Sequence, residues 1–245
     1  MRPIHPRLRR RLKVAATWLW LLIPIAVLTG SQMGSSRSEL DWQRKLAHSL
    51  PDNQSVQIDL IDALVARGRH LEAIEWGEEV IRRNPGSDEG FRALLNVNAA
   101  LGRNHEALEH FEKIRQLRRA NADDYATAAT LLHGSDVTRA VELYRAALNL
   151  DTEHFAANMN LASALAENGD LTGARSHLLR ARSAAPGNAS VTIGLAQLDA
   201  IAGDAESAAL RLQEILSTDP ANERARRLLR EIQNTTINEP PLRED

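Results

Sequence analysis

Two consecutive stretches decide the fold: FAANMNLASALAENGDLTGARSHLLRARSAAPGN, residues 155–188, and ASVTIGLAQLDAIAGDAESAALRLQEILSTDPAN, residues 189–222. Each has glycine, alanine and proline at the same places: Gly169, Ala174 and Pro186, then Gly203, Ala208 and Pro220. The pattern extends upstream. Gly68 and Gly102 are followed five residues later by Ala73 and Ala107, and Pro85 falls twelve after Ala73. The intervals between glycines are 34 (102−68), 67 (169−102) and 34 (203−169). The long interval is two periods less one residue, so a further unit lies inside it. That unit keeps Ala140 in the alanine place and lacks the glycine. A period near 34 with small residues at fixed places marks an array of helix-turn-helix repeats.

The lattice divides residues 54–222 into units 54–87, 88–121, 122–154, 155–188 and 189–222. In the fourth, the expected first helix is Ala156–Asn168, the turn Gly169-Asp170, and the second helix Leu171–Ala184. Leu161, Ala164 and Leu165, then Ala174, Leu178 and Ala181, recur at three- and four-residue steps, giving one apolar face per helix. Glycine suits the turn because φ>0 is often needed there. Proline closes the second helix. Both ends read as capped. Leu40, Leu46 and Leu50 suggest a lone leading helix at 38–50 within a half-repeat 38–53, and 223–233 reads as a closing helix with Leu228, Leu229 and Ile232 inward. Polar-faced ends keep such arrays soluble. Residues 31–37 read as a flexible linker and 234–245 as a disordered tail.

The formal charge of −2 conceals a division. Residues 1–30 hold six basic side chains and no acid, leaving 30−6=24 basic against 32 acidic, a balance of −8. An acidic body is ill suited to nucleic acid. Val14 to Leu28 is uncharged and apolar after that basic flank. Residues 14–30 therefore read as an uncleaved membrane anchor, or alternatively as a cleaved signal. Residues 1–13 would be cytoplasmic, and everything after residue 30 would lie across the membrane, in the periplasm of a Gram-negative cell.

These residues resemble the tetratricopeptide repeat family over 54–222. The family's early leucine is matched by Leu60, Leu94, Leu161 and Leu195, with Ala128 in the third unit. Its large apolar residue four after the alanine is matched by Phe111, Tyr144, Leu178 and Leu212, and Gly77 departs. The terminal proline is replaced by Arg119 and Thr152 in the second and third units. The resemblance implies an all-α solenoid of about five units with capping helices. It also implies a concave groove lined by first helices: Ile58, Asp62, Arg92, Asn96, Ala99, Ala126, Thr130, His133, Met159, Ser163, Ala166, Ile193, Gln197 and Ala200. Arg92 and Asn96 look like half of the family's clamp for peptide carboxylates, but Ala126 and Thr130 stand where basic residues should complete it. A groove charge is the plainer reading of Arg92.

Nothing points to catalysis. There is no cysteine, no HExxH, no GxxxxGK and no GxGxxG, and the histidines are scattered. No catalytic residue, cofactor, metal or small-molecule substrate is expected. The partner is a protein or peptide in the groove, with the membrane engaged by the N-terminal helix. Resemblance to single-anchor proteins of this architecture suggests an assembly scaffold in a bacterial envelope machine for polysaccharide export, secretion, pilus formation or cytochrome maturation. A chaperone-like holder of extended clients is the alternative. Arg224, Arg226, Arg227 and Arg230 read as a solvated cap, or else as a charged docking surface.

Overall fold

A computed structural model describes residues 37–238, which are all-α. Its twelve helices are α1 (Arg37–Ser49), α2 (Gln54–Ala66), α3 (His70–Arg83), α4 (Asp88–Ala100), α5 (Asn104–Gln116), α6 (Ala122–Leu132), α7 (Val137–Leu150), α8 (Phe155–Glu167), α9 (Leu171–Ala184), α10 (Ala189–Ile201), α11 (Ala205–Thr218) and α12 (Glu223–Asn238). The described residues form two compact units, one ending at Trp76 and the other beginning at Gly77, divided within α3. Among the described residues no helix is long and apolar enough to cross a membrane, and the expected anchor at 14–30 lies outside them.

In the first unit α1 packs on α2, and Leu40, Ala47, Leu60, Ile61 and Leu64 are buried. Asn53 caps α2 by accepting from the Val56 amide. Arg44 donates to both carboxylate oxygens of Glu72, at 2.7 and 3.1 Å, and to Asp41 at 2.9 Å. The helix α1 starts at Arg37, the last residue of the stretch read as linker.

The second unit is built from successive hairpins: α4/α5, α6/α7, α8/α9 and α10/α11. Ala107, Ala140, Ala174 and Ala208 are each fully buried, so two backbones can approach where a longer side chain would hold them apart. At the turns Gly102 has φ 70° and Gly169 φ 82°, left-handed values that cost a side-chain-bearing residue about 1 kcal/mol. The amides that follow reach back to cap the helix: Arg103 to the Asn98 carbonyl, Asp170 to the Leu165 carbonyl. Next, Asp136, Asp170 and Asp204 cap α7, α9 and α11 by accepting backbone amides at the +3 position.

The irregular units have their own solutions. The turn after α6 dispenses with a left-handed glycine: Ser135 and Asp136 both donate to the Leu132 carbonyl, at 2.9 and 2.7 Å, and α6 is a short eleven residues. After α5, where proline is missing, Arg118 itself takes φ 56°. Gly77 departs from the large-apolar rule because Leu94 fills the space. A Cβ built there would lie 2.6 Å from the Leu94 Cδ2.

The final helix corrects one expectation. It runs to Asn238, five residues into the stretch read as disordered. Residues 223–238 contain neither proline nor glycine, so helical propagation has no local reason to stop at residue 233. On its inner side Ala225, Leu228, Leu229 and Ile232 join Ala208, Leu212 and Ile215 in one core, while Arg224, Arg226, Arg227 and Arg230 are exposed.

Candidate functional site: the first-helix face

In the second unit the first helices of successive pairs touch: α4 meets α6, and α6 meets α8. The residues expected from repeat position to line a groove sort into two rows four residues apart. One row is Arg92, Ala126, Met159 and Ile193. The first and third are half-buried and the others buried. The second is Asn96, Thr130, Ser163 and Gln197, all exposed. One helical turn separates the rows, so they lie on the same side of each helix. The first row is wholly or partly buried and the second faces solvent. In the first unit Ile58 is half-buried and Asp62 exposed on α2, where burial and then Asp59 push the Asp62 carboxyl up.

Ile193 therefore cannot serve as groove wall. It is 2% exposed and packed with Ala196, Ala208 and Leu212. Carry-over by repeat position put it on the surface; the packing of α10 against α11 puts it in the core. The polarity of the residues already carried this distinction. The buried row is mostly apolar, whereas the exposed row holds only Asn, Thr, Ser and Gln.

Arg92 is likewise committed elsewhere. Its Nε donates to Asp124 Oδ1 at 2.8 Å and its Nη2 to Asp124 Oδ2 at 3.0 Å, a two-pronged pair from α4 to α6. The Nη2 also donates to the Arg119 carbonyl at 3.2 Å, and Nη1 meets Asp88 at 3.5 Å. The Asp124 hydrogen bonds raise the Arg92 pKa. Asp124 in turn accepts from the Asn121 amide, while Asn121 caps Asp124, a reciprocal box at the start of α6. With its Nε and Nη2 donors bound to Asp124 and the Arg119 carbonyl, Arg92 ties two repeats together, which is a structural use of the side chain and not half of a carboxylate clamp.

A polar network spans α6, α7 and α8 on this face. Thr130 Oγ1 lies 3.2 Å from the Tyr144 hydroxyl and accepts from Asn160 Nδ2 at 3.2 Å. His133 lies 3.4 Å from the same hydroxyl through Nδ1 and 3.4 Å from Glu167 through Nε2. Ser163 donates to Glu167 at 3.2 Å. Tyr144 is a buried core ring whose hydroxyl alone reaches the network, and burial pushes its phenol up. Sequence reading found Thr130, His133 and Ser163 but missed Asn160, Tyr144 and Glu167, which their repeat positions do not mark as groove residues. Among the described residues no group of three or more His, Asp or Glu could hold a metal.

Two models described as tetratricopeptide repeat match the sequence, over residues 125–189 and 165–232, covering α6 through most of α12. Residues 125–232 are therefore tetratricopeptide repeats. Residues 30–121 of this repeat protein also match a model described as a bacterial transcriptional activator domain. No curated protein matches in sequence. In fold the chain is similar to YrrB, described as a TPR protein with an unusual peptide-binding site, at 18% identity and TM-score 0.61, over 76% of this chain and 96% of YrrB. It is also similar to PilW, described as a widely conserved type IV pilus biogenesis factor, at 18% identity and TM-score 0.61, over 67% of this chain and 76% of PilW. A third is MamA from Desulfovibrio magneticus RS-1, at 17% identity and TM-score 0.62, over 70% and 98% of the two chains. At these identities the likeness is one of fold.

Proposed function

We propose that this repeat protein is a non-enzymatic scaffold that takes an extended segment of another protein along its first-helix face. The carrying observation is the exposed row Asn96, Thr130, Ser163 and Gln197, one uncharged hydrogen-bonding side chain per repeat. Such a row suits the alternating donors and acceptors of an extended backbone. Fold similarity to a protein described by its peptide-binding site supports the reading.

The finer reading is a membrane tether at residues 14–30, with the repeats in the periplasm as an assembly factor of an envelope machine. The basic flank and apolar run support the tether, and fold similarity to a pilus biogenesis factor supports the setting. The lack of charge in the polar row also suits a holder of varied extended clients. A scaffold keeps fixed partners in stoichiometric amount, whereas a holder binds weakly and broadly.

The test is affinity purification of the full chain from carbonate-washed, detergent-solubilised membranes. Asn96→Arg with Gln197→Arg places two bulky charges on exposed positions and should remove the co-purifying partner with helicity unchanged. A partner that survives this change, but is lost when Arg226, Arg227 and Arg230 become Ser, would move the site to α12. Release of the chain by carbonate would reject the tether.

A further inference from the structure

Where α6 and α8 end, the first-helix face of the second unit carries an exposed carboxylate. Glu167 is the last residue of α8, and its side chain is 56% exposed. It lies beside the C-terminal end of α6 through its contact with His133, the residue that closes that helix. Two helix C-termini thus meet at a carboxylate. Each carries the negative end of its macrodipole, where anions are disfavoured and cations favoured. The nearest polar partners are Ser163 and the His133 imidazole, which bears a positive charge only when protonated. Of the guanidinium groups on nearby helices, Arg92 pairs with Asp124, Arg139 with Glu112 and Arg175 with Asp199, while Arg145 and Arg180 act on His177.

We propose that the α6–α8 end of this face seats a lysine or arginine side chain from within the bound segment, with Glu167 as its counter-charge. The occupant is an extended, internal, basic stretch of a partner, and not a free C-terminus. Ser163, whose hydroxyl donates to Glu167, leaves its oxygen lone pairs beside the carboxylate as a second acceptor for a cation. A carboxylate occupant would meet Glu167 and two negative helix ends, and Arg92 is already neutralised by its two-pronged pair with Asp124. This inference rests on the face being the binding site.

The experiment uses the full chain in detergent and fluorescence anisotropy with three labelled peptides of one Ala/Ser/Gln host sequence. One is amide-capped with central lysines, one amide-capped with glutamates at the same positions, and one lysine-free with a free C-terminal carboxylate. The lysine peptide should bind roughly three- to fivefold more tightly than the glutamate peptide, the size of an exposed ion pair. The preference should fade with added salt and vanish in Glu167→Gln, which keeps the side-chain shape. A lysine preference that survives Glu167→Gln overturns the proposal, as does tighter binding of the free-carboxylate peptide. Equal binding of all three, lost in Asn96→Arg with Gln197→Arg, retains the binding face and rejects its basic occupant. Failure of every peptide to bind rejects both.

Discussion

Replacing Arg92 by Ala removes the guanidinium that bridges α4 and α6 and leaves Asp124 behind. The Asp124 side chain is 1% exposed, so its carboxylate would lose its charged partner while still out of water. Breaking a buried pair from one side costs about 3–5 kcal/mol. Two features pull the figure toward the lower end. The Asn121 amide still donates to Asp124 at 3.0 Å, and Arg92 itself is 24% exposed, so water can follow into the space it leaves. A loss of about 2–3 kcal/mol is expected, which for a chain of this size lowers the melting temperature by roughly 5–10 °C. Arg92→Lys keeps the charge but not the two-pronged geometry and should lose about half as much. Adding Asp124→Asn to Arg92→Ala should recover part of the loss, because the stranded charge is gone while an amide oxygen can still accept from Asn121. The assay is thermal unfolding of the full chain by far-ultraviolet circular dichroism, closed as a double-mutant cycle. A coupling energy near zero, or an Arg92→Ala variant as stable as the parent, would refute the reasoning and return Arg92 to the pool of free groove cations.

Two further outcomes are expected. Ala174→Leu forces a branched side chain between α8 and α9 at a fully buried site and should lower stability by about 1–3 kcal/mol; an unchanged melt would mean that the helix crossing lies elsewhere. Stability should also fall as pH drops from about 7.5 to 5.5. Burial lowers the pKa of His110 and His177, and Arg180 and Arg145 add to the effect at His177. The unfolded chain, with ordinary histidines near 6.5, then takes up protons that the folded state resists, so acidification through that range favours unfolding. His177 Nδ1 lies 2.9 Å from Asn158 Oδ1, and Asn158 spends its own amide protons on the Thr152 and His154 carbonyls, so the imidazole must be the donor. His177→Gln retains a donor, and in melts compared across pH it should flatten the slope; an unaltered slope would place the titration elsewhere.

The repeat lattice was legible because it rests on local demands. A left-handed turn wants glycine, a close helix crossing wants alanine, and a helix end tolerates proline. The same demands recur every 34 residues, so a single sequence displays them several times over. Where a unit breaks the rule, the structure has another solution: Gly77 is small because Leu94 stands over it, and Arg118 adopts a left-handed angle at the end of a unit that lacks the proline of the first, fourth and fifth.

The face proposed for binding was only half legible. Repeat position marks a set of first helices, and the polarity of Asn96, Thr130, Ser163 and Gln197 marks their exposure. Repeat position did not reveal that Ile193 turns into the core, because one helical turn decides between a partner's surface and the next repeat. Nor did it show that Arg92 meets Asp124, or that Glu167 meets His133. Those pairs join residues 32 and 34 apart, on different helices, at 2.8 and 3.4 Å. Periodicity fixes which helix follows which, since that is set by backbone and side-chain volume near each turn. Which charges neutralise one another, and which is left to face a ligand, depends on separations of a few ångström between helices, and those exist only once the repeats have stacked.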